Sequence, residues 1–452
     1  MGDLLAIARS VLDRTAGLPG EFEVFAQEAR TTTIKAYARQ VESVVAGEPR
    51  GVGLQYVHAA RRGYAYTADF GAEGMRRLVD AAVANATASD PDEAAGLPPG
   101  PPVAYPVVPG LWRPELGATS MERKVSLALR AEEVALSHPD IETVEESVYS
   151  DTESRVAIVS SLGIAAEGEA TFCYVYLSAH ARRGDDVQTA MGLVSGREPN
   201  ELDAEAAGLE AAGKAAALLG AAPCPSGRYT VVFDPEVAAA VLSVISQALS
   251  AEAVQKGRSL FAGRVGEQVA AAQVRLVDDG LHPDGMASAA FDDEGVPSEV
   301  TPLIEGGVLR GFLHNSYTAR KEGGATRSTG NASRGSYRGA PGVAPTNLVL
   351  DPGSGTLDDL LGRVGRGVYV VNISGLHSGA NPVNGQFSVG ATGHLIDSGG
   401  RGRPVREITI ASDMLALLAN VVDRAGDARW IPMYGSVLAP SIAIADVTVS
   451  GT

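Results

Sequence analysis

Along the first half of the chain, apolar positions switch repeatedly between helical and strand-like spacing. Leu4, Leu5, Ala8, Val11 and Leu12 follow helical spacing behind Asp3, a candidate N-cap. Glu21–Glu28 and Thr31–Tyr37 predict strands. Gly51–Phe70 predicts two more around a polar turn at Ala59–Gly63. Ala72–Ala88 is amphipathic and stops before Ser89-Asp90-Pro91. The seven prolines of Leu97–Pro114 exclude a regular helix or central strand, so this segment is expected to be a linker or an extended wrap. Met121–Ser137 predicts a helix. Thr143–Tyr149 and Arg155–Ser161 predict a hairpin turning at Ser150–Ser154. Ala166–Ala181 adds at least one more strand, and Glu201–Leu219 an Ala-rich helix.

The second half begins with a strand at Arg228–Phe233. Asp234-Pro235 then starts a helix with a capping acid and proline in its first turn, running to Gly257. Val237, Val241, Val244, Ile245, Ala248 and Leu249 form its apolar stripe, and Glu252 continues that spacing. The pattern therefore expects a carboxylate on the buried face, or one paired with Lys256 a turn later. Beyond Leu276 helical signals vanish until Met414, apart from Leu357–Leu361. Glycine fills 19 of the 81 positions from Gly323 to Arg403, as the tight turns of a β-barrel demand. The expected fold class is α+β: a mixed α/β N-terminal domain over residues 1–222, then an antiparallel β-barrel-like domain over 223–452 that carries the helix 235–257.

Length and charge narrow the functions. A chain of 452 residues exceeds one ordinary core. A net charge of −17 without a Lys/Arg block argues against direct nucleic-acid binding. No apolar run is long enough to span a bilayer, and the N-terminus lacks a basic region and an apolar core typical of a signal peptide, so a cytoplasmic protein is expected. Cys173 and Cys224 exclude a disulfide scaffold and read as inert.

Chemistry-bearing motifs are sparse. There is no phosphate-binding loop and no GxSxG elbow, and the closest two of the seven histidines are too far apart for a helical pair. His377, in Gly375-Leu-His-Ser-Gly379, could line a pocket; a hydrogen-bonded turn residue is the simpler reading. Asp292, Asp293 and Glu294, in FDDEG, read as a hairpin turn with solvated acids.

The run Ala251-Glu252-Ala253-Val254-Gln255-Lys256-Gly257 resembles the HExxxH zinc motif of the TldD/PmbA protease family. Further segments are similar to that family in order and spacing: Thr31–Arg39, Thr329–Arg334, Ala344–Leu348, Gly375–Asn384, Phe387–Ala391, Gly402–Ile410 and the closing PSIAIADVTVSG. The resemblance implies that two motif histidines bind zinc while the glutamate activates water. Here Ala251 and Lys256 stand at the histidine positions. The resemblance also implies a late cysteine ligand, and no cysteine follows Cys224. A methyl group cannot ligate zinc and an ammonium repels it.

These residues resemble the TldE/PmbA type, which implies a non-catalytic subunit. The expected partner is a zinc-bearing TldD-like chain in a heterodimer, or a second copy in a homodimer. The implied activity is hydrolysis of peptides or peptide-like natural-product intermediates, with zinc in the partner and no cofactor in this chain. Ser328–Asn347 is the expected substrate or partner surface, with Asn331, Arg334, Asn347, His377 and Asn381 as its residues. The alternatives are a stand-alone binding or regulatory protein and a metal-free hydrolase using Glu252 or His377.

Overall fold

The computed structural model describes residues 3–102 and 104–452. Met1 and Gly2 of the expected N-terminal helix region, and Val103 of the expected wrap, lie outside them.

Helix α1 (Leu4–Asp13) precedes a long strand, β1 (Glu21–Tyr37), which turns into β2 (Gln40–Gly47). Then follow β3 (Arg50–His58), β4 (Arg61–Thr67), α2 (Ala72–Ala88), α3 (Pro114–Ala118) and α4 (Met121–Leu136). The unit ends with β5 (Ile141–Ser160), β6 (Ala165–Arg183), β7 (Asp186–Gly196) and α5 (Ala204–Ala217). The strands form one antiparallel sheet in the order β4-β3-β1-β5-β6-β7, with β2 pairing the far half of β1. Alternation decides what each face meets. Phe22, Val24 and Ala26 of β1 pack under α1 and α2, and Ile34 and Ala36 pack under α4 and α5. The intervening Glu23, Phe25 and Gln27 face the second domain instead.

Three expectations change here. The two strands expected at Glu21–Glu28 and Thr31–Tyr37 are one. Strand β2 was not expected; it follows a turn at Ala38-Arg39 with positive φ of 52° and 61°. The hairpin expected at Ser150–Ser154 is instead the middle of one strand, β5. Its polar residues mimic a turn, but they are satisfied within the fold: Asp151 binds Lys124 at 2.6 Å and Tyr149 at 2.7 Å, and Ser150 meets Thr33 at 3.1 Å.

The proline-rich segment is an extended strap. The Leu97 amide donates to Glu21, the Thr171 amide to the Leu111 carbonyl, and the Tyr105 hydroxyl to the Gly295 carbonyl. It thus ties strands β1 and β6 of the first domain to the second.

The second domain contains β8 (Gly227–Phe233), α6 (Pro235–Ala248), α7 (Ala251–Gln255), β9 (Leu276–Asp279), β10 (Val300–Glu305), β11 (Val308–Leu309), α8 (Ser316–Glu322), β12 (Ala332–Ser333), β13 (Gly342–Val343) and β14 (Leu348–Leu350). Next come α9 (Leu357–Val364), β15 (Gly367–Ser374), α10 (Leu376–Gly379), β16 (Gln386–Asp397), β17 (Gly400–Asp413), α11 (Met414–Ala419), β18 (Val421–Arg424), β19 (Arg429–Ile431), β20 (Val437–Ala439) and β21 (Ile442–Ser450). One sheet runs β17-β16-β15-β8-β21-β18, and β17 also pairs with β21, so five strands close on themselves. The other runs β11-β10-β9-β14-β20-β19. The barrel is not wholly antiparallel as expected, because β8–β15 and β14–β20 are parallel.

Helix α6 lies in the core shared by these sheets and is buried nearly all round, not along one stripe. The single helix expected over 235–257 is broken at Leu249–Ser250. The Leu313 amide donates to the Leu249 carbonyl and the Leu313 carbonyl accepts from the Ala251 amide, both at 2.9 Å. This bridge to an extended segment replaces the helical ladder, and α7 restarts after the extended backbone of Ser250.

Candidate functional site

Helix α7 carries Ala251 and Glu252 and ends at Lys256, the residues whose run resembles HExxxH. Ala251 is buried against the Leu313 segment. Glu252 does not lie on the buried face, because the break rotates it outward; it is partly exposed and forms an i,i+4 ion pair with Lys256. The Gln255 amide binds the Thr318 carbonyl at 2.7 Å, packing α7 against α8, and Asn315 at the start of α8 donates to the Gly342 carbonyl. At the two positions where the resemblance implies zinc-binding histidines there are therefore a methyl group and an ammonium already engaged by a carboxylate. They do not fit a zinc ion. Among the described residues, no three His, Cys, Asp or Glu side chains converge to offer another metal site.

The Ser328–Asn347 segment is largely a joint inside the chain rather than the expected outer surface. Asn331 is buried. Its amide donates to Asp278 at 2.6 Å and to the Ala344 carbonyl at 3.2 Å, and its oxygen accepts from Thr329. Asn347 is buried too. Its amide donates to the Asp279 carbonyl and to Ser288, and its oxygen accepts from the Ala287 amide and from Ser436. Both side chains pin loops that have no regular ladder of their own.

Arg334 reaches across to the first domain. Its side chain is fully buried and binds Glu23, which is equally buried. It also donates to the Tyr64 hydroxyl at 3.3 Å and to the Asp293 and Gly339 carbonyls, and it stacks 4.9 Å from the Phe25 ring. Tyr337 follows onto β3, where a Cβ on Gly51 would come within 2.2 Å of its ring. Only glycine lets the two domains approach this closely.

The acids of FDDEG are buried, contrary to the expectation of solvation. Asp292 accepts from the amides of Glu294, Val296 and Ala332; Asp293 accepts from Arg334; Glu294 accepts from Ser316. The turn is a hub that replaces solvent with backbone donors. Burial pushes the Glu23 carboxyl up to about 7 against the pull of Arg334. Burial likewise pushes Asp278 up to about 7, against its bonds from Asn331 and Thr346. A second charged joint lies at the other end of the domain contact. Lys214 and Glu210 of α5 meet Glu236 and Arg429, with Arg429–Glu210 at 2.8 Å and Lys214–Glu236 at 3.3 Å, beside a cavity of about 240 Å³.

His377 and Asn381 do lie at the surface, His377 on the single turn of α10. The Leu260 amide binds the Pro382 carbonyl, which places the Asn381 turn beside the segment leaving α7. Sequence reasoning did not find Glu23, Asp278 or Tyr64. A signal existed for the first: Phe25 stands on the otherwise polar face of β1, so that face had to be covered.

The chain thus joins an α/β domain to a barrel-like domain with a buried central helix, in part through the buried Arg334–Glu23 pair. Three family models match in succession: PmbA/TldA metallopeptidase domain 1 over residues 22–86, the central domain over 114–219 and the C-terminal domain over 226–451. The chain belongs to the PmbA/TldD metallopeptidase family. Among its relatives, a metalloprotease of Methanothermobacter thermautotrophicus is 28% identical over 90% of this chain and 88% of its own. The metalloprotease PmbA of Escherichia coli O157:H7 is 26% identical over 92% and 91%. A crystal structure from Thermotoga maritima, described as a modulator of a DNA gyrase, superposes with a TM-score of 0.91 at 27% identity, covering 98% and 99% of the two chains. TldE of Thermococcus kodakarensis, at 24% identity and a TM-score of 0.89 over 99% of each chain, shares the fold.

Proposed function

We propose that this chain is a non-catalytic subunit of the TldE/PmbA type, pairing with a zinc-bearing TldD-like chain to form a peptidase for peptides or peptide-like intermediates. The observation that carries this reading is the donor set at α7: Ala251 and Lys256 occupy the ligand positions on a scaffold otherwise retained. The ammonium of Lys256 occupies the Glu252 carboxylate, so that group holds a lysine instead of orienting a water. Support comes also from the buried domain joints, which keep the scaffold rigid without a metal. The role of the chain is then to complete and enclose the substrate chamber, with zinc held by the partner.

The test is to purify the chain alone and with a TldD-type chain bearing HExxxH, then measure mass, zinc and peptide hydrolysis. The expected result is no zinc and no hydrolysis alone, and both in a mixed complex. One zinc per chain with hydrolysis by the isolated protein would overturn the reading. So would a TldD-type chain whose mass and activity this protein leaves unchanged.

A further inference from the structure

Between the proline-rich strap and α8 lies a cavity of about 330 Å³ that neither the α7 region nor the domain joints use. Its walls include Pro98, Pro99, Ile164, Pro297 and Ala319, most of them rigid and apolar. Five polar side chains, Ser316, Arg320, Thr326, Arg327 and Ser328, break this lining. Arg320 donates through Nε to the Ala94 carbonyl at 2.9 Å, through Nη1 to that of Leu97 at 3.1 Å, and through Nη2 to that of Gly96. Those carbonyls use three of its five N–H groups and supply no formal negative charge. Among the described residues no carboxylate lies within ion-pair distance of Arg320; Glu294 and Glu21 act on it only from further away. Arg327, at the rim, is already paired with Glu299 at 2.8 Å. Ser316, 4% exposed, lines the same cavity, and its hydroxyl is buried without a partner.

A half-buried guanidinium without a countercharge, an unused hydroxyl and stiff apolar walls are complementary to one kind of ligand. Guanidinium prefers a planar carboxylate, which it can grip with two parallel N–H groups. The volume lies at the lower end of the roughly 300–1,000 Å³ typical of small-molecule sites. We propose that this cavity is a binding site for a carboxylate borne on an apolar body, such as a leucine-like residue with a free carboxyl end. Arg320 takes the carboxylate, Ser316 donates to it, and the proline walls cover the side chain. The proposal stands independently of the peptidase-subunit reading.

Isothermal titration of the full chain tests it, with N-acetyl-leucine against N-acetyl-leucinamide and the tripeptide Ala-Ala-Leu against its C-terminal amide. Each acid is expected to bind about tenfold or more tighter than its amide, the effect of one charge-assisted contact. Tighter binding of the tripeptide acid assigns a peptide end; equal binding assigns a free apolar acid. Ala319→Phe, which fills the cavity, should abolish binding, and Ser316→Ala should weaken it several-fold. Arg320→Gln should erase the difference between acid and amide. Should that variant fail to fold because the strap detaches, the ligand comparison and Ala319→Phe, checked by thermal melting, still decide. The proposal is overturned if neither acid binds at millimolar concentration, if acid and amide bind alike, if inorganic phosphate binds as well as the acids, or if Ala319→Phe leaves binding unchanged.

Discussion

The turn around α7, within the second domain, and the Arg334 joint, between the domains, are held by opposite means. At α7 the backbone does the holding: the exchange of hydrogen bonds with Leu313 fixes the break whatever side chains sit at 251 and 256. At the joint the side chains do the holding, because Arg334 and Glu23 are each buried: removing Glu23 strands a buried guanidinium, and removing Arg334 strands a buried carboxyl. The contrast teaches that a geometry fixed by main-chain bonds depends less on its side chains than a joint that the side chains themselves make. A charged joint cannot lose a member so cheaply.

The comparison can be broken most severely at the joint. Arg334→Met leaves Glu23 and Asp293 buried without their cation, and about 3–5 kcal/mol of stability should be lost, read from urea unfolding. A loss below 1 kcal/mol would mean that the joint is not held by charge.

A smaller effect should come from pH. The folded-state pKa of Glu23, about 7, lies above its ordinary value of 4.5, so the native state keeps that proton where the unfolded chain has released it. The contribution of this group to stability therefore falls as pH rises from 4.5 to 7, by an amount on the order of 3 kcal/mol. The groups facing it are Arg334, Tyr64, Asp293 and Glu294. Glu23→Gln cannot release a proton, so its stability should decline less across that window than the parent's. Parallel stability curves for the two proteins would refute the assignment.

The smallest effect belongs to α7. Glu252→Gln breaks only a partly exposed ion pair and should cost about 0–1 kcal/mol, leaving the activity of an assembled complex intact. Loss of activity with unchanged melting temperature would return Glu252 to the chemistry.

Much of this contrast was legible in the residues, and what was not has a physical cause. The Asp234-Pro235 start of α6 and the β-rich, glycine-dense second half are local patterns. The β1–β2 hairpin escaped because its two-residue turn is Ala38-Arg39, without the Asn or Gly that such positive-φ turns favour. The acids of FDDEG, together with Asn331, Arg334 and Asn347, were placed at the surface because polar residues in glycine-rich stretches ordinarily lie there. Their burial depends on partners far away in sequence, as with Glu23 and Arg334, 311 positions apart. Gly51 and Gly53 in the middle of a strand were the available hint that another backbone comes close.

The closure of the barrel carries a further consequence, for assembly during synthesis. Strand β8 is made first in its domain, but one of its two neighbours, β21, is the domain's last strand, and β15 also comes long after it. Helix α6, apolar on nearly every side, follows β8 directly and must await both sheets. On a ribosome this helix would emerge long before its shelter exists. The nascent domain thus presents a sticky intermediate that a chaperone, or the already folded first domain, has to shield until β21 arrives.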